Sequence, residues 1–497
     1  MSKVRDLIAG ASWTYGSQLG TAMVQFSYAA VTSRIVSAAG FGSYAVALTA
    51  SGLVILLANG GLSQAVSRMH VTDRLAISGL ASYSLLLGAG ASIVLFVVAD
   101  LWALLWSDPP SSTLVRWLAL SAFFTPNFGL AAGLLRRQGK FKQLAIATLA
   151  SNLCGMAFGT IVVIHFRTAT ALIASAICAQ IVLYLVAACL VRGETLRLGN
   201  PRHATSDMKF SASLTAASLL SYLANNIGKW SVSRWVGSAA LGQWNRAEVV
   251  TTVPFFQIQT ALSQVVYPEF RHDRESNKRA KNAWPDMMGL ALWLCVPMAC
   301  ALVPILPFII PLLFGPGWDL AVKISQPLAV IGAVQVATSL LGSGVEALGR
   351  FVWIWTSQFI MIGIQIVGVV FTIVSGSTVP AIAALAVIVI CRQVFYVSLL
   401  SRAGYFNARL LLKHYYKVVV FSGLLMGYVW IFAAAFTNNW LFFVVLAVLV
   451  FCLLGAYRWR RTLPPIEILN RYRETSDDRR VATAAGGRHR AASSVRP

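Results

Sequence analysis

NNIGKWSVSRWVGSAALGQWNRAE, residues 225–248, is the segment around which this chain is organised. It lies in a long apolar region, yet it carries Lys229, Arg234, Arg246 and Glu248. Charged side chains are scarce inside a bilayer because burying them costs free energy, and those that occur there are usually functional. The segment therefore indicates where in a membrane-spanning chain a function is to be sought.

A second copy of this segment occurs earlier in the chain. Residues 232–247 (VSRWVGSAALGQWNRA) align without gaps on residues 32–47 (TSRIVSAAGFGSYAVA), 200 positions earlier. The identical pairs are Ser33/Ser233, Arg34/Arg234, Val36/Val236, Ala39/Ala239, Gly42/Gly242 and Ala47/Ala247. An internal repeat that carries buried cations is typical of membrane transporters built from two related halves.

The composition excludes a water-soluble protein. The chain has 497 residues, of which 57% are hydrophobic and only 11% are charged. That is too little polar surface to cover a soluble particle, so we predict an all-α polytopic membrane protein. The formal net charge of +23 does not indicate a nucleic-acid partner, because the basic residues lie between the apolar spans.

The spacing of apolar segments and the positions of basic residues predict the topology. Segments long enough to cross about 30 Å of hydrocarbon number about fourteen, of which the ninth is predicted at 287–312, where several prolines interrupt it, and the last at 440–457. Lysine and arginine collect in alternate connections, at 68–74, 136–142, 192–209, 271–281 and 402–417, whereas the intervening connections are almost free of them. Because cytoplasmic loops retain positive charge, we place both termini in the cytoplasm.

The repeat predicts how the helices are grouped. An even number of helices separates the two copies, so the copies share one orientation and form two parallel, pseudo-symmetric lobes of six helices. We expect an N-lobe at 1–198, a C-lobe at 199–415 and two appended helices at 416–457. The basic segment 458–497 is rich in Arg, Ala, Gly and Ser, a composition that predicts a disordered cytoplasmic tail.

Polar side chains on two related helices predict a cavity between the lobes. Tyr222, Asn225 and Lys229 follow one face of the seventh helix at three- or four-residue steps, and Gln25 belongs to a similar stripe on the first. Lipid would reject both faces, so a shared water-filled cavity is the expected destination. The alternative is that such residues hold helices together by hydrogen bonds.

Basic residues inside the spans predict an anionic cargo. In the predicted topology Arg34, Lys229, Arg234 and Arg246 lie in the outer half of the membrane, and Arg392 lies deeper on the twelfth helix. Each would cost about 2.5–3.5 kcal/mol at a helix centre without water, a partner or an anionic ligand. For Arg34 and Arg234, at the ends of spans, extension of the side chain to the membrane surface is an equal alternative.

Only two acidic residues, Glu248 and Glu346, fall well inside spans. Either is a position for a coupling proton or sodium ion, or a structural partner of a cation. The six histidines and seven cysteines show no catalytic or metal-binding spacing. We therefore expect no enzymatic activity, no cofactor and no metal site.

Several short motifs, in this order along the chain, carry a family resemblance: SRIVSAAGFGSYAVA at 33–47, GLSQAVSR at 61–68, LLRRQGKFKQLA at 134–145, VVYPEFRHD at 265–273 and PLLFGPGWDLAV at 311–322. The chain resembles the Wzx-type polysaccharide flippases, particularly the WzxC-like branch, whose superfamily also contains multidrug extruders and lipid II flippases.

The resemblance implies export of an undecaprenyl-pyrophosphate-linked oligosaccharide from the inner to the outer leaflet of a bacterial inner membrane, for exopolysaccharide, O-antigen or capsule synthesis. It also implies a cationic cavity lined by helices 1, 2, 7 and 8, where Arg34, Lys229, Arg234 and Arg246 fall. Membrane lipids, a polysaccharide polymerase and the export machinery are the expected partners.

Three other functions are weighed against export of a lipid-linked glycan. A multidrug extruder of the same superfamily usually has a membrane-buried carboxylate for cation exchange, and the first span, 9–33, has none. A membrane-embedded glycan polymerase or ligase should carry a sizeable outer loop, and the outer connections here are short. An inactive scaffold of an assembly complex is the third alternative.

Overall fold

The computed structural model describes residues 2–59, 62, 66, 74–191, 195, 197–200, 219–275 and 282–435, together with residues 450, 454, 455 and 458. None of these residues lies in a β-strand. Fourteen helices, numbered here in chain order, cover most of them: α1 Ser2–Ser33, α2 Ala38–Asn59, α3 Arg74–Trp106, α4 Pro110–Arg137, α5 Phe141–Phe166, α6 Ala171–Leu190, α7 at 219–231, α8 Ser238–Glu275, α9 Ala283–Leu302, α10 Leu306–Phe314, α11 Asp319–Ala347, α12 Phe351–Ser375, α13 Val379–Arg402 and α14 Ala408–Ala435.

Nine of the helices within the described ranges are long and apolar enough to cross a membrane, namely α2 to α6, α9 and α11 to α13. The prediction of an all-helical polytopic membrane protein is confirmed. The predicted final helix at 440–457 lies almost wholly outside the described residues, as does the predicted basic tail at 458–497.

One predicted span is two helices in the structure. A single helix was expected at 287–312, but α9 ends at Leu302 and α10 begins at Leu306. Pro304 lies in the break and Pro307 in the first turn of α10. Proline has no amide hydrogen to donate to the preceding turn, so it interrupts a helix and is tolerated at the start of the next.

The described chain divides into two compact units. Unit 1 comprises Met1–Ala261, Leu306–Gly332 and Phe351–Arg392. Its core forms where α4 packs against α2, α3 and α6, and alanine and leucine dominate the cluster at that place. Because lipid is as apolar as a leucine side chain, close van der Waals contact between small residues stabilises such helix pairs.

Helices α5 and α6 of unit 1 approach especially closely. Gly155 and Gly159 are spaced one turn apart on α5, and a methyl group at Gly159 would lie 2.4 Å from the Ser175 Cβ atom. At Gly155 it would lie 2.5 Å from the Ala179 Cβ atom. Small residues at this spacing allow the two backbones to pack against each other.

We expect Gly159→Ala to destabilise the protein, because α5 and α6 must separate to admit the methyl group. Overpacking of this kind costs about 1–3 kcal/mol, which should lower the thermal unfolding temperature of the detergent-solubilised protein by several degrees. Gly90→Ala on α3 is the matched control, since no atom lies within 4 Å of the added methyl group there. Equal unfolding temperatures for the two variants would contradict the packing argument.

Unit 2 comprises Leu262–Ile305, Ala333–Arg350 and Gln393–Pro497. In its described part α9 packs against α14. His414 Nε2 and Asp286 Oδ1 lie 3.0 Å apart, and both side chains are buried. The Trp293 and Phe421 rings, with centroids 5.4 Å apart, extend the same contact. A buried polar pair flanked by aromatic rings therefore joins these two helices.

Candidate functional site

The candidate site lies in unit 1, where α7 leads into α8. The last turn of α7 continues into a π-helical segment, Val232–Val236. The segment ends at Gly237, whose φ of +119° is a conformation that side chains other than glycine rarely adopt. Single π-helical turns occur frequently at functional sites. This turn separates Lys229 on α7 from the charged residues of α8.

Lys229 is paired with Glu248 across the two helices. The Lys229 Nζ atom donates to Glu248 Oε2 at 2.7 Å. Trp244, one turn earlier on α8, donates from Nε1 to Glu248 Oε1 at 2.9 Å. Both carboxylate oxygens thus have a donor, while the Lys229 and Glu248 side chains stay 27% and 21% exposed. The pair is therefore accessible to a small polar ligand rather than sealed in a core.

The accessible surface of this pair belongs to a cavity of about 130 Å³. Besides Lys229 and Glu248, it is lined by Ala45, Leu48, Thr49, Tyr222, Leu241, Trp244 and Asn245. The Tyr222 hydroxyl donates to the Thr49 carbonyl at 2.7 Å and so connects α7 to α2. The volume has room for about four water molecules. In this conformation the cavity is polar, and it is too small for an oligosaccharide.

Arg246 does not line that cavity and is buried. Its side chain is 6% exposed, and its Cζ atom lies 4.0 Å from the centre of the Phe41 ring and 6.0 Å from that of Phe314. One hydrogen bond, from Nη2 to Asn245 Oδ1, measures 3.2 Å. Within the part of the chain that the structure describes, Arg246 forms no ion pair, and its Nε atom has no hydrogen-bond partner. Aromatic faces attract a cation, but they do not neutralise it.

The other residues singled out in the sequence lie elsewhere. Arg34 donates to two backbone carbonyls at the end of α10, and Arg234 donates to a carbonyl and a hydroxyl at the end of α3. Asn225 on α7 and Gln25 on α1 are exposed and do not line the cavity, and Arg392 is partly buried on α13.

Glu346 lies in unit 2, where it is exposed near the end of α11. Of the ten residues proposed from the sequence, the structure brings Lys229, Glu248 and Tyr222 to one cavity. The binding roles of all ten residues stay predictions.

Sequence reasoning did not single out Trp244, Asn245 or Thr49, which complete the cavity. The spacing of Trp244 and Glu248, four residues apart on a helix, was the available signal, because side chains at that spacing are neighbours. Phe314 was noted only as part of a motif, and it covers the buried guanidinium of Arg246.

The candidate site lies within a part of the chain that matches a known protein family. A family model described as "Polysaccharide biosynthesis protein" matches residues 31–323. The lipopolysaccharide biosynthesis protein WzxC of Escherichia coli (strain K12) is 23% identical over 359 residues, which are 70% of this chain and 72% of that protein. The teichuronic acid biosynthesis protein TuaB of Bacillus subtilis (strain 168) is 24% identical over 370 residues, which are 73% and 76% of the two chains.

A solved structure with a similar fold is the lipid II flippase MurJ in its inward closed conformation. It superposes with a TM-score of 0.71 over 91% of this chain and 99% of MurJ, at 15% sequence identity. At that identity the likeness shows the fold and does not extend to the cargo.

Proposed function

The chain belongs to the family of polysaccharide biosynthesis proteins, and from this membership we propose that it is a flippase for an undecaprenyl-pyrophosphate-linked oligosaccharide. It carries the oligosaccharide from the inner to the outer leaflet of a bacterial inner membrane, with both of its termini in the cytoplasm. The names of two relatives, a lipopolysaccharide biosynthesis protein and a teichuronic acid biosynthesis protein, support a glycan cargo. The fold shared with a lipid II flippase supports a lipid-linked one.

The observation that carries the proposal is the Lys229–Glu248 pair, accessible in a polar cavity among apolar helices. A lysine needed only for stability would be better replaced by an apolar residue, because desolvation offsets much of the attraction within a buried ion pair. An accessible pair can instead exchange partners. We propose that the cargo pyrophosphate displaces the Glu248 carboxylate from Lys229 as it binds.

The cargo requires a path with two different surfaces. A pyrophosphate and hydrated sugars cannot enter hydrocarbon without losing their hydrogen bonds to water. The polyprenyl chain is stabilised by staying in lipid. A polar cavity that opens sideways to the membrane accommodates both parts. The present cavity must widen to do so, and we propose that the predicted lobes, 1–198 and 199–415, rock against each other to open it to each side in turn.

Within this scheme the buried guanidinium of Arg246 supplies a second positive charge close to the site, on the same helix as Glu248. From the cavity wall, the Asn245 amide can donate hydrogen bonds to the cargo, and the Tyr222 oxygen, whose hydrogen is bonded to Thr49, can accept one from a sugar hydroxyl. Once the cargo holds Lys229, the Glu248 carboxylate is free to take up a proton or sodium ion. A polysaccharide polymerase and the export machinery are the proposed consumers of the delivered cargo.

Deletion of the gene in its native host tests the proposal against its rivals. If the protein is a flippase, its deletion should cause loss of the surface polymer. Complete repeat units should also accumulate on polyprenyl pyrophosphate, as measured by mass spectrometry of lipid extracts. If the protein is a drug extruder, the deletion strain should instead make normal polymer and show altered drug tolerance. Normal polymer and no accumulated lipid-linked units would overturn the proposal.

Export of an anion should respond to the membrane potential. With the cytoplasm negative, outward movement of each negative charge releases about 2.3 kcal/mol per 100 mV. We therefore expect a potassium-diffusion potential, negative on the side from which cargo leaves, to accelerate transport in proteoliposomes, and the opposite potential to slow it. Equal rates at both polarities would show that the transported species carries no net charge across the membrane.

A further inference from the structure

Two arginines at equivalent positions of the sequence repeat each bind the end of a helix far away in the chain. Arg34 follows α1 in the first copy and donates from Nε to the Leu313 carbonyl at 3.2 Å, and from Nη2 to the Leu312 carbonyl. Both acceptors are at the end of α10, in the segment predicted as the C-lobe. Each of these residues belongs to unit 1.

The second arginine makes the reciprocal contact. Arg234, in the π-helical segment after α7, donates from Nη1 to the Leu104 carbonyl at 2.7 Å and to the Ser107 hydroxyl. These acceptors are at the end of α3, in the segment predicted as the N-lobe. Each predicted lobe thus supplies an arginine to the other. The last carbonyls of a helix carry partial negative charge, so a guanidinium is a suitable donor for them. The Leu104 carbonyl also accepts from the Ser107 amide, at 3.2 Å.

Glycines at equivalent positions make a second reciprocal contact between α2 and α8. A methyl group added at Gly42 would lie 1.8 Å from the Ser238 carbonyl oxygen. One added at Gly242 would lie 1.9 Å from the Ala38 carbonyl oxygen. Ala38 and Ser238 are themselves 200 positions apart, so the contact has the same two-fold relation as the arginine contacts. No side chain fits between these backbones.

We infer that Arg34 and Arg234, together with the contact between Gly42 and Gly242, form a two-fold latch that holds this end of unit 1 closed. The distribution of basic residues predicts that it is the outer end. Every contact of the latch joins a residue of the predicted N-lobe to a residue of the predicted C-lobe, so the two cannot separate here without breaking it. Opening requires release of the guanidinium bonds, whereas the glycines allow the backbones to meet again on closing.

The latch assigns Arg34 and Arg234 a role in closure rather than in holding cargo, and it does not depend on what the cargo is. Their donors are occupied by backbone carbonyls, whereas Lys229 lines the cavity. Closure can therefore be measured without cargo, and failure of the latch would leave the proposed function untouched.

The test measures a distance across the latch in the full chain. The seven native cysteines are replaced, and spin labels are attached to Thr113→Cys on α4 and Lys323→Cys on α11, both exposed positions in unit 1. Pulsed electron double resonance in lipid nanodiscs should show mainly a short distance. Arg34→Gln and Arg234→Gln should each raise the ratio of long to short distances about tenfold, and the double variant about 100-fold, because each removes charged hydrogen bonds.

Arg167→Gln is the matched control, since Arg167 is an exposed arginine at the α5–α6 turn, and it should leave the distances unchanged. Gly242→Ala should remove the short distance altogether. If a glutamine variant is recovered poorly, Arg34→Lys and Arg234→Lys provide the second comparison, with smaller shifts in the same direction. An unchanged distribution in both arginine variants, or a mainly long distance in the parent protein, would overturn the latch.

Discussion

Lys229→Ala is expected to abolish polymer export while the protein remains in the membrane. The substitution removes the cation that lines the cavity and leaves the Glu248 carboxylate, held by Trp244, as the remaining charge facing the cargo. A hydrogen bond to a charged group contributes about 1.5–3 kcal/mol, and repulsion between Glu248 and the pyrophosphate adds to that loss. We expect export at least 100-fold below wild type, measured as surface polymer in a complemented deletion strain.

A double variant separates binding from folding. Replacing both members of a partly buried ion pair by apolar residues is often neutral for stability, whereas removing one leaves an unpaired charge. Lys229→Met with Glu248→Leu should therefore unfold at nearly the wild-type temperature and still fail to export. Lys229→Arg, which keeps the charge, should retain part of the activity. Wild-type export by the double variant would mean that the pair is purely structural.

Arg246→Met is expected to lower export about tenfold without lowering stability. Burying a guanidinium at a helix centre costs about 2.5–3.5 kcal/mol of free energy. Contact with an aromatic ring offsets about 2 kcal/mol of that cost when the cation is desolvated. Methionine fills the space and can contact the rings of Phe41 and Phe314 through its sulfur atom. The thermal unfolding temperature should therefore stay the same or rise.

Arg246→Lys serves as the companion variant, because it keeps the charge and loses the planar stacking. Its export should fall between those of wild type and Arg246→Met. A marked fall in the unfolding temperature of Arg246→Met, in proportion to its loss of export, would instead assign Arg246 a purely structural role.

Much of the fold follows from local features of the sequence. Apolar length is a property of short segments, so the helical membrane architecture is predicted from it and confirmed. The cytoplasmic position of both termini, predicted from the basic connections, stays a prediction. The break between α9 and α10 was missed because a run of apolar residues with several prolines fits one kinked helix as well as two shorter ones.

The partners of charged side chains were harder to predict, because they depend on which helices meet. Lys229 and Glu248 are 19 residues apart on different helices, and no local spacing indicates their pairing. Arg34 and Arg234 were proposed for the cavity because they fall on the helices that line it in the family that the chain resembles. Their acceptors are helix ends 279 and 130 residues away, and they become neighbours only when distant parts of the chain have folded together.

The leaflet in which lipid-linked repeat units reside tests the central claim most directly. Cells depleted of the protein are converted to spheroplasts, and a membrane-impermeant reagent that oxidises exposed sugars is added outside. The account predicts that the repeat units accumulate and stay unmodified, and that wild-type protein, but not Lys229→Ala, restores their modification. Modification of the accumulated units in depleted cells would show that they cross the membrane without this protein, and would contradict the account.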